Sequence, residues 1–181
     1  MKNKIDQIIF ELYEFGANKV SVIDAKDVVT NVAFRDMCKA NACGMYGKCW
    51  TCPPDCGDIN QLIKSLEKYS KVLVFQTVGK LEDSYDFEGM TEYKKQFSKI
   101  VLKVKKMLSA NGIDALTLGA GGCGICERCS KRENELCRFP DLAIYSLESY
   151  GIDVYALSKS ADMKYINGPN TVTYFSAVFF D

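Results

Sequence analysis

The stretch 90–118, MTEYKKQFSKIVLKVKKMLSANGIDALTL, decides the fold. Met90, Tyr93, Phe97, Ile100, Val101, Val104 and Leu108 recur at helical spacing, which predicts a long amphipathic helix. Asn111-Gly112 ends it, because glycine takes the left-handed C-terminal position without strain, and Ala115–Leu118 then reads as a short strand. A long helix running straight into an apolar strand is an α/β unit, and this one delivers the chain into Cys123, Cys126, Cys129 and Cys137.

Upstream, Lys71–Val78 reads as a buried strand, followed by a polar loop over 79–89. Asp58 and Gln61 resemble a capping box for a helix carrying Ile59, Leu62, Ile63, Leu66 and Tyr69. Val20–Ile23 is a short strand. Before it, Ile5, Ile8, Ile9, Leu12 and Tyr13 share one helical face that Gly16 closes. Residues 24–57 read as irregular. Downstream, a helix around 141–150 is expected to stop at Gly151, with a strand over Ile152–Ala156, a short helix near 159–166 and a final strand over Thr171–Phe180. Gly112-Ile113-Asp114 and Gly151-Ile152-Asp153 echo each other, which shared turn chemistry explains better than duplication. The expectation is a single α/β domain over 1–181, a small mixed sheet flanked by helices and carrying two cysteine-rich loops. The final strand is expected as an ordinary edge or central strand, and a homodimer through its edge stays open.

The chain has 23 basic and 23 acidic residues, nine cysteines and no histidine. Zero net charge argues against a nucleic-acid binder, whose affinity rests on basic surface. The absence of histidine removes Ser-His-Asp and Cys-His catalysis, His-bearing zinc sites, Rieske ligation and C-x-x-C-H haem attachment. Chemistry must run on cysteine, carboxylate, lysine, tyrosine or a bound cofactor. Residues 1–16 mix charges with apolar positions, so a signal-peptide core is missing, and no apolar run reaches membrane length. A cytoplasmic protein is expected, with reduced thiols acting as metal ligands rather than disulfides.

Cys123-x2-Cys126-x2-Cys129-x7-Cys137 is the strongest signal. Three thiolates two residues apart wrap one face of an inorganic cube while a fourth arrives from further along, the logic of ferredoxin-type [4Fe-4S] binding. Zinc more often brings two separated C-x2-C pairs together. Gly119, Gly121, Gly122 and Gly124 let bare backbone approach a cluster and aim N–H groups at its sulfurs. Arg128, Lys131, Arg132 and Arg138 are candidates to offset its charge, although Glu127, Glu133 and Glu135 among them also suit a solvated loop. The first group, Cys38, Cys43, Cys49, Cys52 and Cys56, holds one thiol more than a four-coordinate site needs. Its gaps do not match the C-x3-C-x2-C order of radical-SAM enzymes. A structural zinc or a redox pair at Cys49-Trp50-Thr51-Cys52 are alternatives, but Pro53-Pro54 follows where a thioredoxin-type motif begins a helix. Gly119-x-Gly121-x-x-Gly124 formally matches the dinucleotide fingerprint, yet 125–138 lack the apolar helix that motif requires. Trp50 and Tyr46 are candidates to shield a cluster.

Cys38 and Cys43, Tyr46-Gly47-Lys48, Cys52-Pro53-Pro54, Gly122-Cys123, Cys126, Cys129, Cys137 with Pro140, and Gly151-Ile152-Asp153-Val154 together resemble the predicted metal-binding proteins filed as domain of unknown function 2284. The resemblance implies metal or iron–sulfur binding, typically in anaerobes, without an established reaction. Cys49 and Cys56 lie outside its pattern. The leading reading is a [4Fe-4S] cluster on Cys123, Cys126, Cys129 and Cys137. A second centre would use Cys38, Cys43 and Cys52 with Cys49 or Cys56, and electrons would pass to a redox partner protein or a small-molecule substrate. The alternatives are an enzyme with one open iron and a zinc-stabilised interaction module.

Overall fold

A computed structural model describes residues 2–181. Ten elements follow one another: α1 (Lys2–Glu14), β1 (Lys19–Asp24), α2 (Phe34–Lys39), α3 (Ile59–Ser65), β2 (Lys71–Lys80), α4 (Phe87–Ala110), β3 (Ala115–Gly119), β4 (Tyr145–Ser146), α5 (Val154–Ser160) and β5 (Thr171–Phe180). Five strands form one sheet in the order β1-β2-β5-β3-β4. The β1/β2, β2/β5 and β5/β3 pairs are antiparallel, whereas β3 and β4 run parallel. The last strand is therefore the central one. Strand β2 pairs along all of it, whereas β3 pairs only with Ala177–Phe180.

Helices cover both faces of the sheet. Leu73 and Phe75 of β2 with Val178 and Phe180 of β5 meet Ile5, Ile8 and Leu12 of α1 and Phe97, Val101, Val104 and Leu108 of α4. Val72 and Val74 with Ala177 and Phe179 face the other way, onto Leu66, Leu147, Ile152 and Leu157. Alternation along a strand sends successive side chains to opposite faces, so only a continuous apolar run serves a sheet buried on both. A fully buried Phe or Leu of this kind contributes about 1.5–3 kcal/mol relative to exposure.

The stretch 90–118 folds as its pattern requires. Asp86 caps α4 by accepting the Gly89 N–H at 2.7 Å. At the other end Gly112 sits at φ +67°. There the Ile113 N–H donates to the Leu108 carbonyl at 3.0 Å, satisfying a terminal carbonyl and turning the chain into β3.

The region after the second cysteine group departs from expectation. Instead of a helix over 141–150 there are short three-ten turns at Pro140–Leu142 and Glu148–Tyr150 with β4 between them. Instead of a strand over Ile152–Ala156, Asp153 caps α5, accepting the Ala156 N–H at 2.9 Å. Ile152 alone pairs, in a single bridge with Thr30. The helix expected near 159–166 thus begins earlier and ends at Ser160. Residues 24–57 are less irregular than expected, since α2 carries Cys38. Tyr13 is not on the buried face: it is exposed, and its hydroxyl accepts the Val20 N–H at 3.2 Å.

Asp24, at the end of β1, lies at the same end of the sheet as the start of β3. Residues 25–57 must therefore travel the length of the sheet to meet the loop leaving β3. Asn31 N–H to the Gly151 carbonyl (2.7 Å) and Asp153 N–H to the Val29 carbonyl (2.9 Å) fix that path.

Candidate metal centre

Two loops build the site: residues 25–57, and the 120–144 segment that follows β3. The second turns sharply at Gly121 (φ +61°) and Gly124 (φ +72°), conformations that favour glycine. Gly122 packs so closely on the first loop that a Cβ there would lie 2.6 Å from Met45 Cε. The Ile144 N–H donates to Cys123 Sγ at 3.4 Å. Gly47 N–H to the Pro53 carbonyl, 2.8 Å, closes the first loop on itself.

Where the loops meet they enclose two adjoining cavities. One, of about 510 Å³, is walled by Cys38, Cys43 and Cys52 together with Tyr46, Glu148 and Phe175. The other, of about 570 Å³, is walled by Cys43, Cys49, Cys123, Cys126, Cys129 and Cys137. Both lie in the size range of small-molecule and cofactor sites. Cys43, Met45, Gly121 and Tyr174 border both, so the partition between the cavities is one side chain thick in places. All nine thiols are free.

This sorting differs from the one the sequence suggests. Cys123, Cys126, Cys129 and Cys137 do line one cavity, but Cys49 from the first group joins them. Cys38, Cys43 and Cys52 stay together. Cys56 borders neither cavity; it is buried and accepts a hydrogen bond from Arg35 Nη1 at 3.2 Å. Among the described residues, no three Cys, Asp or Glu side chains converge on a single-ion position.

The electrostatics follow from burial. Desolvation pushes the Cys38, Cys56 and Cys123 thiols upward, opposed at Cys123 by N–H groups of Ile144 and Ile125 and at Cys56 by Arg35. Cys49 is held well below the thiol range, chiefly by a hydrogen bond from Cys52 and further by Thr51 and the Cys123 N–H. Cys52, the donor in that pair, is raised.

The positive charge beside the thiols comes from a source the sequence reading missed. Lys131 pairs with Asp55 at 2.6 Å, Arg138 with Glu133 at 3.1 Å, and Arg128 with Glu133 at 3.7 Å, so most of the loop cations are neutralised locally. Arg132 approaches Met45 Sδ at 3.8 Å. Lys94 and Lys105 of α4 have no carboxylate partner within salt-bridge distance among the described residues. Their Nζ atoms donate to Ser98 Oγ and the Ala143 carbonyl, each at 2.7 Å. Burial lowers both ammonium groups, and the Cys123 thiol is the first influence drawing each back up. The signal was present: Lys94, Ser98, Val101, Lys105 and Leu108 repeat at helical spacing, placing two lysines beside the apolar stripe. Glu148 had no such signal, since it fell inside a predicted helix. It faces the first cavity, where burial raises its carboxyl and the Ser146 hydroxyl opposes that.

Trp50 borders the second cavity and Tyr46 the first. Trp50 Nε1 donates to the Glu135 carbonyl at 3.0 Å, and Lys131 Nζ lies 4.2 Å from its ring centre. The dinucleotide reading of Gly119, Gly121 and Gly124 has no support, because no α-helix follows β3 before α5. Cys49 and Cys52 lie in turns rather than at a helix start, so the thioredoxin arrangement is also missing.

Thiols of two loops around a pair of cavities, with backbone N–H groups aimed at sulfur and bare glycine at the closest approach, form a donor set suited to thiophilic metals or clusters. On an α/β sheet, this is a cysteine-lined candidate metal site. The family model of the predicted metal-binding proteins, domain of unknown function 2284, matches residues 21–180, and the chain belongs to that family. No curated protein and no solved structure matches it.

Proposed function

We propose that this is an iron–sulfur protein with a [4Fe-4S] cluster on Cys123, Cys126, Cys129 and Cys137 and a second centre, also a cluster, held by Cys38, Cys43 and Cys52. Bound clusters would supply one-electron redox chemistry, and electrons would pass to a redox partner protein or a small-molecule substrate. The observation that carries the reading is the C-x2-C-x2-C run and Cys137 lining one cavity at the end of β3. Open α/β sheets commonly place ligands beyond the carboxyl ends of their strands. Zinc needs four donors around one ion, whereas a cubane spreads its ligands over four irons, and thiols distributed around a cavity of about 570 Å³ suit the second.

The chain's own groups would set the potential. N–H groups of Ile144 and Ile125 reach Cys123, and the ammonium groups of Lys94 and Lys105 lie on the same side. Trp50 and Tyr46 restrict water.

Anaerobic purification, followed by iron, sulfide and zinc quantitation and EPR of the reduced protein, tests the reading. About eight irons and eight sulfides per chain support two cubanes, and about four support one. Stoichiometric zinc without iron overturns it. Cys129→Ser lowers iron content; unchanged iron in that variant refutes the assignment of the second group.

A further inference from the structure

The two cavities do not share their thiols equally. The second has more cysteines than a cubane needs, while the first has only Cys38, Cys43 and Cys52. Both cysteines that the sequence offers as its fourth ligand are turned elsewhere. Cys49 borders the second cavity, where it accepts from Cys52 and engages Thr51 at 3.3 Å, and Cys56 is held by Arg35 outside both.

What faces the first cavity instead is Glu148. Its three-ten turn is fixed by the Ser149 N–H on Ser146 Oγ (3.1 Å), by Ser149 Oγ on the Ser146 carbonyl (2.7 Å), and by Arg35 Nη2 on the Ser149 carbonyl (3.2 Å). The same arginine thus diverts Cys56 and anchors the turn that presents Glu148. A carboxylate in a largely apolar cavity is costly without a cation. Glu148 forms no salt bridge among the described residues; its own N–H, the Ser146 hydroxyl and, at longer range, the Lys94 ammonium are what favour its charged form. The other carboxylate on this wall, Asp153, is committed to the α5 N-terminus.

We propose that the Glu148 carboxylate is the fourth, non-thiolate ligand of the first centre, completing Cys38, Cys43 and Cys52. This rests on the reading of that centre as an iron–sulfur cluster. A carboxylate is a harder donor than thiolate, so its iron is the exchangeable one. That iron faces a cavity of about 510 Å³ whose remaining walls include Tyr155, Tyr165 and Phe175, with Tyr165 and Phe175 stacked at 6.0 Å. The position is therefore built to admit a small molecule beside the cluster.

The test compares wild type, Glu148→Gln, Glu148→Asp and Cys38→Ser, all purified anaerobically. Glu148→Gln keeps the shape and removes the anionic donor. It should lose about one iron per chain and show a three-iron EPR signal after mild oxidation, with an unchanged thermal melt of the metal-free protein, while Glu148→Asp retains the wild-type iron count and spectrum. Added to Cys38→Ser, Glu148→Gln should change nothing further, which places the lost iron in the first centre. An iron count and spectrum equal to wild type in Glu148→Gln overturns the proposal, as does a further loss in the Cys38→Ser background. Wild-type protein without iron overturns the underlying iron–sulfur reading instead, so the two failures are distinct.

Discussion

Cys56 and Lys94 are the residues whose roles the tertiary environment reassigns. Cys56 has the residue type and the neighbourhood of a ligand, but its sulfur points at the Arg35 guanidinium. Cys56→Ser should leave iron and sulfide content at the wild-type level while lowering folding stability by about 1 kcal/mol, read from urea unfolding of the metal-free chain, because a buried thiol loses packing. Iron loss in that variant would make Cys56 a ligand after all. Lys94 has the opposite history: an unremarked lysine on a helix proves to border the cavity of the regular cysteine group. Its charge should ease addition of an electron. Lys94→Gln should shift the reduction potential negative by on the order of 90 mV, since a unit charge roughly 8 Å away at an effective dielectric near 20 acts with about 2 kcal/mol for one electron. Potentiometric titration followed by EPR checks it, and an unmoved potential would show that solvent screens this ammonium.

At the scale of elements, segments with a sustained period or clear bounding turns are legible in the sequence, and short apolar runs with neither are not. Helix α4 and strands β2 and β5 lie where their patterns place them, because 24 and 10 residues of consistent spacing leave little room for another structure, and the five-residue β3 is bounded by the turn at Gly112 before it. Residues 141–160 were misread. A few apolar positions fit a helix or a strand equally well, and the decision fell to contacts distant in sequence: Leu147 N–H on the Gly119 carbonyl at 2.9 Å and the Thr30–Ile152 bridge. The contact of α4 with β2 gives a sharp test. Gly79 packs against the face of the Tyr93 ring, and an added Cβ would run into it. Gly79→Ala should cost about 1–3 kcal/mol, measured as a fall in urea midpoint without change in slope. Gly112→Ala would be destabilising for a different reason, its φ of +67°.

Across the whole molecule, the sheet is held by two hydrophobic layers, and the cysteine loops join these layers chiefly near their ends, through Ala25 and Val28 on one face and Ala120, Cys123, Ile125 and Ile144 on the other. Removal of metal by a chelator should therefore lower the melting temperature and expose amides of 38–56 and 120–139 to hydrogen exchange, while β2 and β5 stay protected. Uniform loss of protection would mean that the metal centres organise the core itself. Among the described residues no helix is long and apolar enough to cross a membrane.

The sequence by itself determined the α/β class, the long helix and the strands around it, the cysteine-rich character of the site and the cavity-lining set Cys123, Cys126, Cys129 and Cys137. These are properties of local periodicity and ligand spacing, and neighbours along the chain suffice to express them. Only the tertiary structure decided that β5 lies between β2 and β3, that Cys49 crosses to the other group, that Cys56 is withdrawn by Arg35, and that Lys94 and Glu148 face the cavities. Each of these depends on segments far apart in sequence being brought together by burial, and no spacing within one segment records which distant surface will cover it.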